Sequence, residues 1–211
     1  MVAGFAPVRR RLIDDSWRAS LAVESLPEPA MLKRYRKHDF PVHEVRRYLE
    51  PGPVLLLSSA WRGERDVMAF GWHTVMEFSP SLVGCMISAG NHSFALVRGS
   101  GECVLNLPTA GMGHVITGVG NCSGADTDKF ARFGLHVSPA ARVAAPLIDE
   151  CHSSFKCRLH DARLVDDYNF FVFEVVAAHV ARVPKWPETL GYRGDGVFME
   201  SGRQRRLPSV K

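Results

Sequence analysis

Two stretches carry residue types suited to holding a ligand. The first is Met68-Ala69-Phe70-Gly71-Trp72-His73-Thr74. A glycine lets a flat ring approach the backbone closely, because no Cβ stands in the way. Phe70 and Trp72 flank it with ring faces. His73, Thr74 and the backbone offer polar groups for the edge of a heterocycle. Taken alone, the stretch also suits a core strand with buried aromatics. The second is the apolar run Leu82 to Ser88, followed by Ala89-Gly90-Asn91-His92-Ser93. A strand, a small polar turn and a helix start leave free backbone amides, which favour an anion. Ser88, Asn91 and Ser93 add side-chain hydrogen-bonding groups, and His92 a hydrogen bond or a charge. The plainer reading is capping of the helix by Asn91 or Ser93.

The familiar catalytic patterns fail. G-x-S-x-G and H-E-x-x-H do not occur. Gly111-Met112-Gly113 has Ile116 where the third glycine of a dinucleotide fingerprint belongs, and Gly99-Ser100-Gly101 has Val104 there. No side chain is assigned a catalytic role. The five cysteines, Cys85, Cys103, Cys122, Cys151 and Cys157, form no C-x-x-C pair, and no metal is assigned. Their odd number argues against a disulfide framework, and Cys85 and Cys103 sit in apolar runs as small buried thiols do.

The elements that must position the two stretches read as mainly β. Strands are expected at Val54 to Ser59, Val67 to Thr74, Leu82 to Ser88, Cys103 to Leu107, Phe155 to His160 and Phe170 to Val183. The last is apolar on both faces, as a covered or central strand is. Short helices are expected at Asn91 to Gly99 and at Thr127 to Gly134, the latter capped by Asp126 or Thr127. Residues 1 to 45 read as a proline-punctuated leader, with short helices around Ile13 to Ser25 and His43 to Leu49, and residues 46 to 211 as the domain proper. No alternating βαβ pattern is present, so a doubly wound sheet is excluded in favour of a closed or split antiparallel barrel.

The 211 residues, 46% hydrophobic and 23% charged, suffice for one globular domain. Lys plus Arg is 26 against 22 Asp plus Glu, and acids accompany two of the three basic clusters. That lacks the concentrated basic stripe of a nucleic-acid surface. No apolar run reaches the roughly 20 residues of a membrane span. At the N-terminus the apolar residues precede Arg9 to Arg11, the reverse of a secretory signal. A cytoplasmic location is expected.

Taken in order, several stretches resemble the flavin reductase-like, FMN-binding split-barrel family, including its flavoredoxin and NAD(P)H:flavin oxidoreductase members. They are Pro53 to Ser59, Glu77 to Val83, Asn91-His92-Ser93 with Gly101 to Leu107, Asp128-Lys129-Phe130, and Phe173 to Val176. The resemblance covers about residues 43 to 205 and implies a Greek-key split β-barrel with short helices. It implies FMN as cofactor and NAD(P)H as transient co-substrate. Phe70, Gly71, Trp72, His73 and Thr74 would line the ring and ribityl chain; Ser88, Ala89, Asn91, His92 and Ser93 would hold the phosphate. It also implies a flavin reductase passing electrons to a small molecule or a monooxygenase partner. A flavoredoxin-like carrier and a non-enzymatic flavin sensor are the alternatives. The apolar strand from Phe170 suggests a homodimer. Lys129 reads as a solvated helix lysine, with reach to the flavin phosphate as the alternative; Glu174 reads as an outward or interface carboxylate rather than a support for the site; and Tyr192 reads as an ordinary packed tyrosine, with closure of the pocket across a dimer as the alternative.

Overall fold

The computed structural model describes residues 32–208; the helix expected around Ile13 to Ser25 lies outside them. The sheet grows from strands whose residues are apolar on both faces. In β2 (Leu55–Trp61), Leu55 and Leu57 point into the barrel core and Leu56 points outward. Such a strand needs cover on both sides. The outward cover is α3 (Gly113–Gly120), whose Val115, Ile116 and Val119 pack with Leu56. Inside, Phe155, Phe171 and Phe173 fill the barrel, the last two stacked at 5.7 Å between ring centroids.

The main sheet holds eight strands, and seven of them form a path. It runs β3 (Glu64–Phe70), β2, β6 (Glu102–Leu107), β9 (Ser153–Asp161), β10 (Phe170–Ala181), β5 (Ser81–Met86) and β4 (His73–Phe78). All its neighbours are antiparallel. β10 pairs with β5 through Phe170 to Glu174. Beyond that, Ala178 to Ala181 pair with β1 (Lys37–Phe40). Residues 37–40, which the sequence places in the leader, therefore belong to the sheet. A 3₁₀ turn at Val42–Glu44 and α1 (Arg46–Leu49) follow, close to the helix expected there.

The two ends of the path, β3 and β4, are consecutive in the chain but form no ladder with each other. This is the split of the barrel. The single strand expected over Val67 to Thr74 is in fact two, broken at Gly71-Trp72, which carry the chain from one edge to the other. Helix α2 (His92–Ser100) packs on β2 and β3 and sends Phe94 and Val97 into the core. A separate hairpin, β11 (Leu190–Gly194) and β12 (Val197–Glu200), is tied to the barrel by Val54 N–H donating to the Leu190 carbonyl. The helix after the expected cap begins later than expected. In α4 (Lys129–Arg132) the Asp128 carboxylate accepts from the amides of Phe130 and Ala131. The shift has a simple cause: Asp128 alone is in register with those orphan amides. No helix among the described residues is long and apolar enough to cross a membrane.

One buried polar group makes the fold sensitive to acid. His152 is fully buried. Its Nε2 lies 2.7 Å from the Pro184 carbonyl, which can only accept, so Nε2 carries the proton. Nδ1 then accepts from Ser153 Oγ at 2.7 Å. Burial holds its pKa below the ordinary value, outweighing the Pro184 bond. Burial lowers His73 and His179 too. The unfolded chain takes up these protons near pH 6.5 and the native state only at lower pH. Stability is therefore full above that value and is lost as pH falls through the lowered native pKa values. Urea unfolding at pH 7.5 and pH 5.5 checks this; equal or greater stability at pH 5.5 contradicts it.

Candidate functional site

A cavity of about 720 Å³ opens where the barrel splits. That volume suits a small-molecule or cofactor site. Its floor is the end of β3 and the crossing, Met68 to Trp72. Met86 ends β5, and Ser88 and Asn91 come from the segment joining β5 to α2. Ile116, Thr117, Gly120 and Asn121 come from α3 and its C-terminal end, and Tyr192, Gly196 and Phe198 from the hairpin. Among the described residues no charged side chain lines it.

Each wall follows from local sequence. Gly71 has no atom within 4 Å of the position a Cβ would take, so the backbone there is open to a ligand. Trp72, 72% exposed, and Tyr192, 56% exposed, present ring surface that a ligand would cover. Tyr192 packs on Phe198 at 5.0 Å between centroids, and its hydroxyl accepts from the Gly196 amide at 3.3 Å. It is thus a cavity wall rather than an ordinary packed tyrosine. Asn91 occupies the N-cap position of α2 in extended conformation, yet no side chain caps that helix. The Phe94 amide donates to the Asn91 carbonyl at 3.0 Å, and the side chains of Ser88 and Asn91 line the cavity beside this first turn. Ala89 and Gly90 are exposed beside them. The expectation of ordinary capping by Asn91 or Ser93 is corrected: Ser93 Oγ turns inward, donating to Asp66 Oδ2 at 2.7 Å.

Of the ten residues singled out from the sequence, Phe70, Gly71, Trp72, Ser88 and Asn91 line the cavity. Ala89 adjoins them without lining it. His92 lies near Glu64, with Nε2 3.8 Å from the carboxylate. Ser93 is fully buried. His73 and Thr74 fall elsewhere: they line a hollow of about 210 Å³ with Leu49, Glu50 and Met76. His73 Nε2 donates to the Pro53 carbonyl at 2.8 Å. The reason is the break at Gly71-Trp72, which starts β4 in a new register. Lys129 is likewise corrected: it is 5% exposed, with Nζ 3.2 Å from Asp66 Oδ1 and donating to the Val67 carbonyl at 2.7 Å. Glu174 is half-exposed, 3.8 Å from His160. The cysteines offer no reactive group here. Cys85, Cys103 and Cys157 are buried in the core, and burial pushes the first two thiols well up and Cys151 to about 12.

Residues 46–198 match the model of the flavin reductase like domain family, and the chain belongs to that family. An uncharacterized protein of Escherichia coli, YddH, is 29% identical, with 77% of this chain and 94% of that protein covered. Among solved structures, an FMN-binding domain of a flavin reductases-like enzyme from Shewanella baltica superposes with a TM-score of 0.77 at 22% identity. It covers 83% of this chain and 100% of the other. The flavoredoxin of Desulfovibrio vulgaris gives 0.66 at 18% identity, covering 75% and 90%. The fold is the split barrel that these proteins share.

Proposed function

We propose that the cavity binds FMN and that the protein is an NAD(P)H-dependent FMN oxidoreductase. The observation that carries this reading is the combination in one cavity of an unobstructed Gly71 backbone, exposed ring faces and an uncapped helix start, in a chain of this family. The residues fit such a cofactor. The backbone at Gly71 accepts a flat ring at close approach. Phe70, Trp72 and Tyr192 supply apolar contact, and Asn121 and Asn169 supply neutral hydrogen-bonding groups. Ser88 and Asn91, at the start of α2, would receive the phosphate at the exposed end. FMN, when bound, supplies the acceptance of a hydride and its onward transfer as electrons. The chain's own part is to bind, orient and exclude water. The uncharged walls agree with this, since they place no acid or base beside the ring.

The experiment is anaerobic addition of NADH or NADPH to the FMN-loaded protein. Rapid loss of the visible flavin band is the expected result. A flavin that stays oxidised with both nicotinamides contradicts the reductase reading and leaves an electron carrier. The acceptor in this reading is a small molecule or a monooxygenase partner. A homodimer belongs to the same reading. It is supported by the edge strand β4, whose Met76 and Phe78 are about half exposed at 48% and 50%. Light scattering should report twice the chain mass; a monomer at micromolar concentration would contradict it.

A further inference from the structure

We propose that Asp66 is a positioning residue for the phosphate end of the cavity, holding the first turn of α2 in place from behind. The inference rests on the FMN reading above. Asp66 lies on β3 and is 3% exposed. One carboxylate oxygen accepts from Ser93 Oγ at 2.7 Å, and the other lies 3.2 Å from Lys129 Nζ. Ser93 is the second residue of α2, and Lys129 the first of α4. Three elements, β3, α2 and α4, therefore meet on a single buried carboxylate.

The chemistry assigns each partner a separate part. Ser93 has one hydroxyl proton, and it is committed to Asp66. The hydroxyl thus anchors the turn, and with it the adjoining Asn91, whose side chain lines the cavity with Ser88. A bare carboxylate behind an anion site would repel the ligand. The Lys129 ammonium offsets that charge, so the anchor costs the site little. Gly124 completes the arrangement. A Cβ there would lie 2.2 Å from Asp66 Oδ1, so only glycine leaves the carboxylate its position.

A purely structural role and a positioning role differ in one observable. Loss of global stability weakens every flavin alike. A displaced first turn of α2 weakens only a flavin that carries a phosphate. The test measures dissociation constants for FMN and riboflavin, with thermal midpoints, on the full chain and on Ser93→Ala, Ser93→Thr and Gly124→Ala. Ser93→Ala deletes one hydrogen bond, and Gly124→Ala displaces the carboxylate without altering any partner. Both should lose FMN affinity by about fivefold or more, as expected for weakened charge-assisted hydrogen bonds. Riboflavin affinity should stay nearly constant, and Ser93→Thr, which keeps the hydroxyl, should restore FMN affinity. Parallel weakening of both flavins, or no change in either, overturns the proposal. Wild-type protein that binds neither flavin overturns the cofactor reading, and this inference with it.

Discussion

Lys129→Met is expected to lower the unfolding free energy by about 3–5 kcal/mol, the cost of stranding a buried charge. Lys129 and Asp66 are 5% and 3% exposed, and the ammonium also satisfies the Val67 carbonyl. The methionine side chain fills similar space but supplies neither charge nor donor. Asp66 would keep only Ser93 as a partner, with no counter-charge beside it. Replacing both members, as Asp66→Leu with Lys129→Met, should recover much of the loss, because no uncompensated charge then remains. Urea unfolding of the three proteins checks this. A single variant within about 1 kcal/mol of wild type would show the pair to be no more than a surface ion pair in effect.

Gly71→Phe should abolish flavin binding while leaving the fold intact. Gly71 lies on the cavity floor with open space where a Cβ would stand, and its φ is not in the left-handed region. The backbone therefore accepts a side chain, and the ring occupies space a ligand needs. Overpacking of about 3 kcal/mol corresponds to roughly 100-fold in affinity. Circular dichroism and the thermal midpoint should match wild type, and flavin titration should show the loss. An unaltered affinity would place the flavin outside this cavity.

Much of the barrel was legible because its strands are short, apolar and bounded by turn residues. β2, β5, β6, β9 and β10 all overlap the expected runs, with ends that differ by no more than about two residues. The split at Gly71-Trp72 was not legible, since the run Val67 to Thr74 carries strand-forming residues on both sides of Gly71 and only sheet topology shows the change of edge. Helix α3 was hidden by Gly113, Gly118 and Gly120, whose helix propensity is poor. The spacing of Val115, Ile116 and Val119 was the signal for it, and their packing on β2 and β3 stabilises the helix. The hairpin over the cavity was not expected, although Gly194-Asp195-Gly196 between alternating residues is the turn signal for it.

At the site, the sequence located the floor and the helix start but not their geometry. Phe70, Gly71 and Trp72 reach the cavity because they end one strand; His73 and Thr74 miss it because they begin the next. Ser93 and Lys129 drew attention as polar residues near an expected anion. Their common partner Asp66 is distant from both in sequence, and only the fold brings it between them.

The most direct test of the central claim is a titration of the purified full chain with FMN, followed by flavin fluorescence and absorbance, with Gly71→Phe alongside. The account predicts saturable binding of one FMN per chain, with a perturbed visible spectrum, and its loss in Gly71→Phe. Absence of binding in the wild-type protein, or equal binding in both, would contradict it.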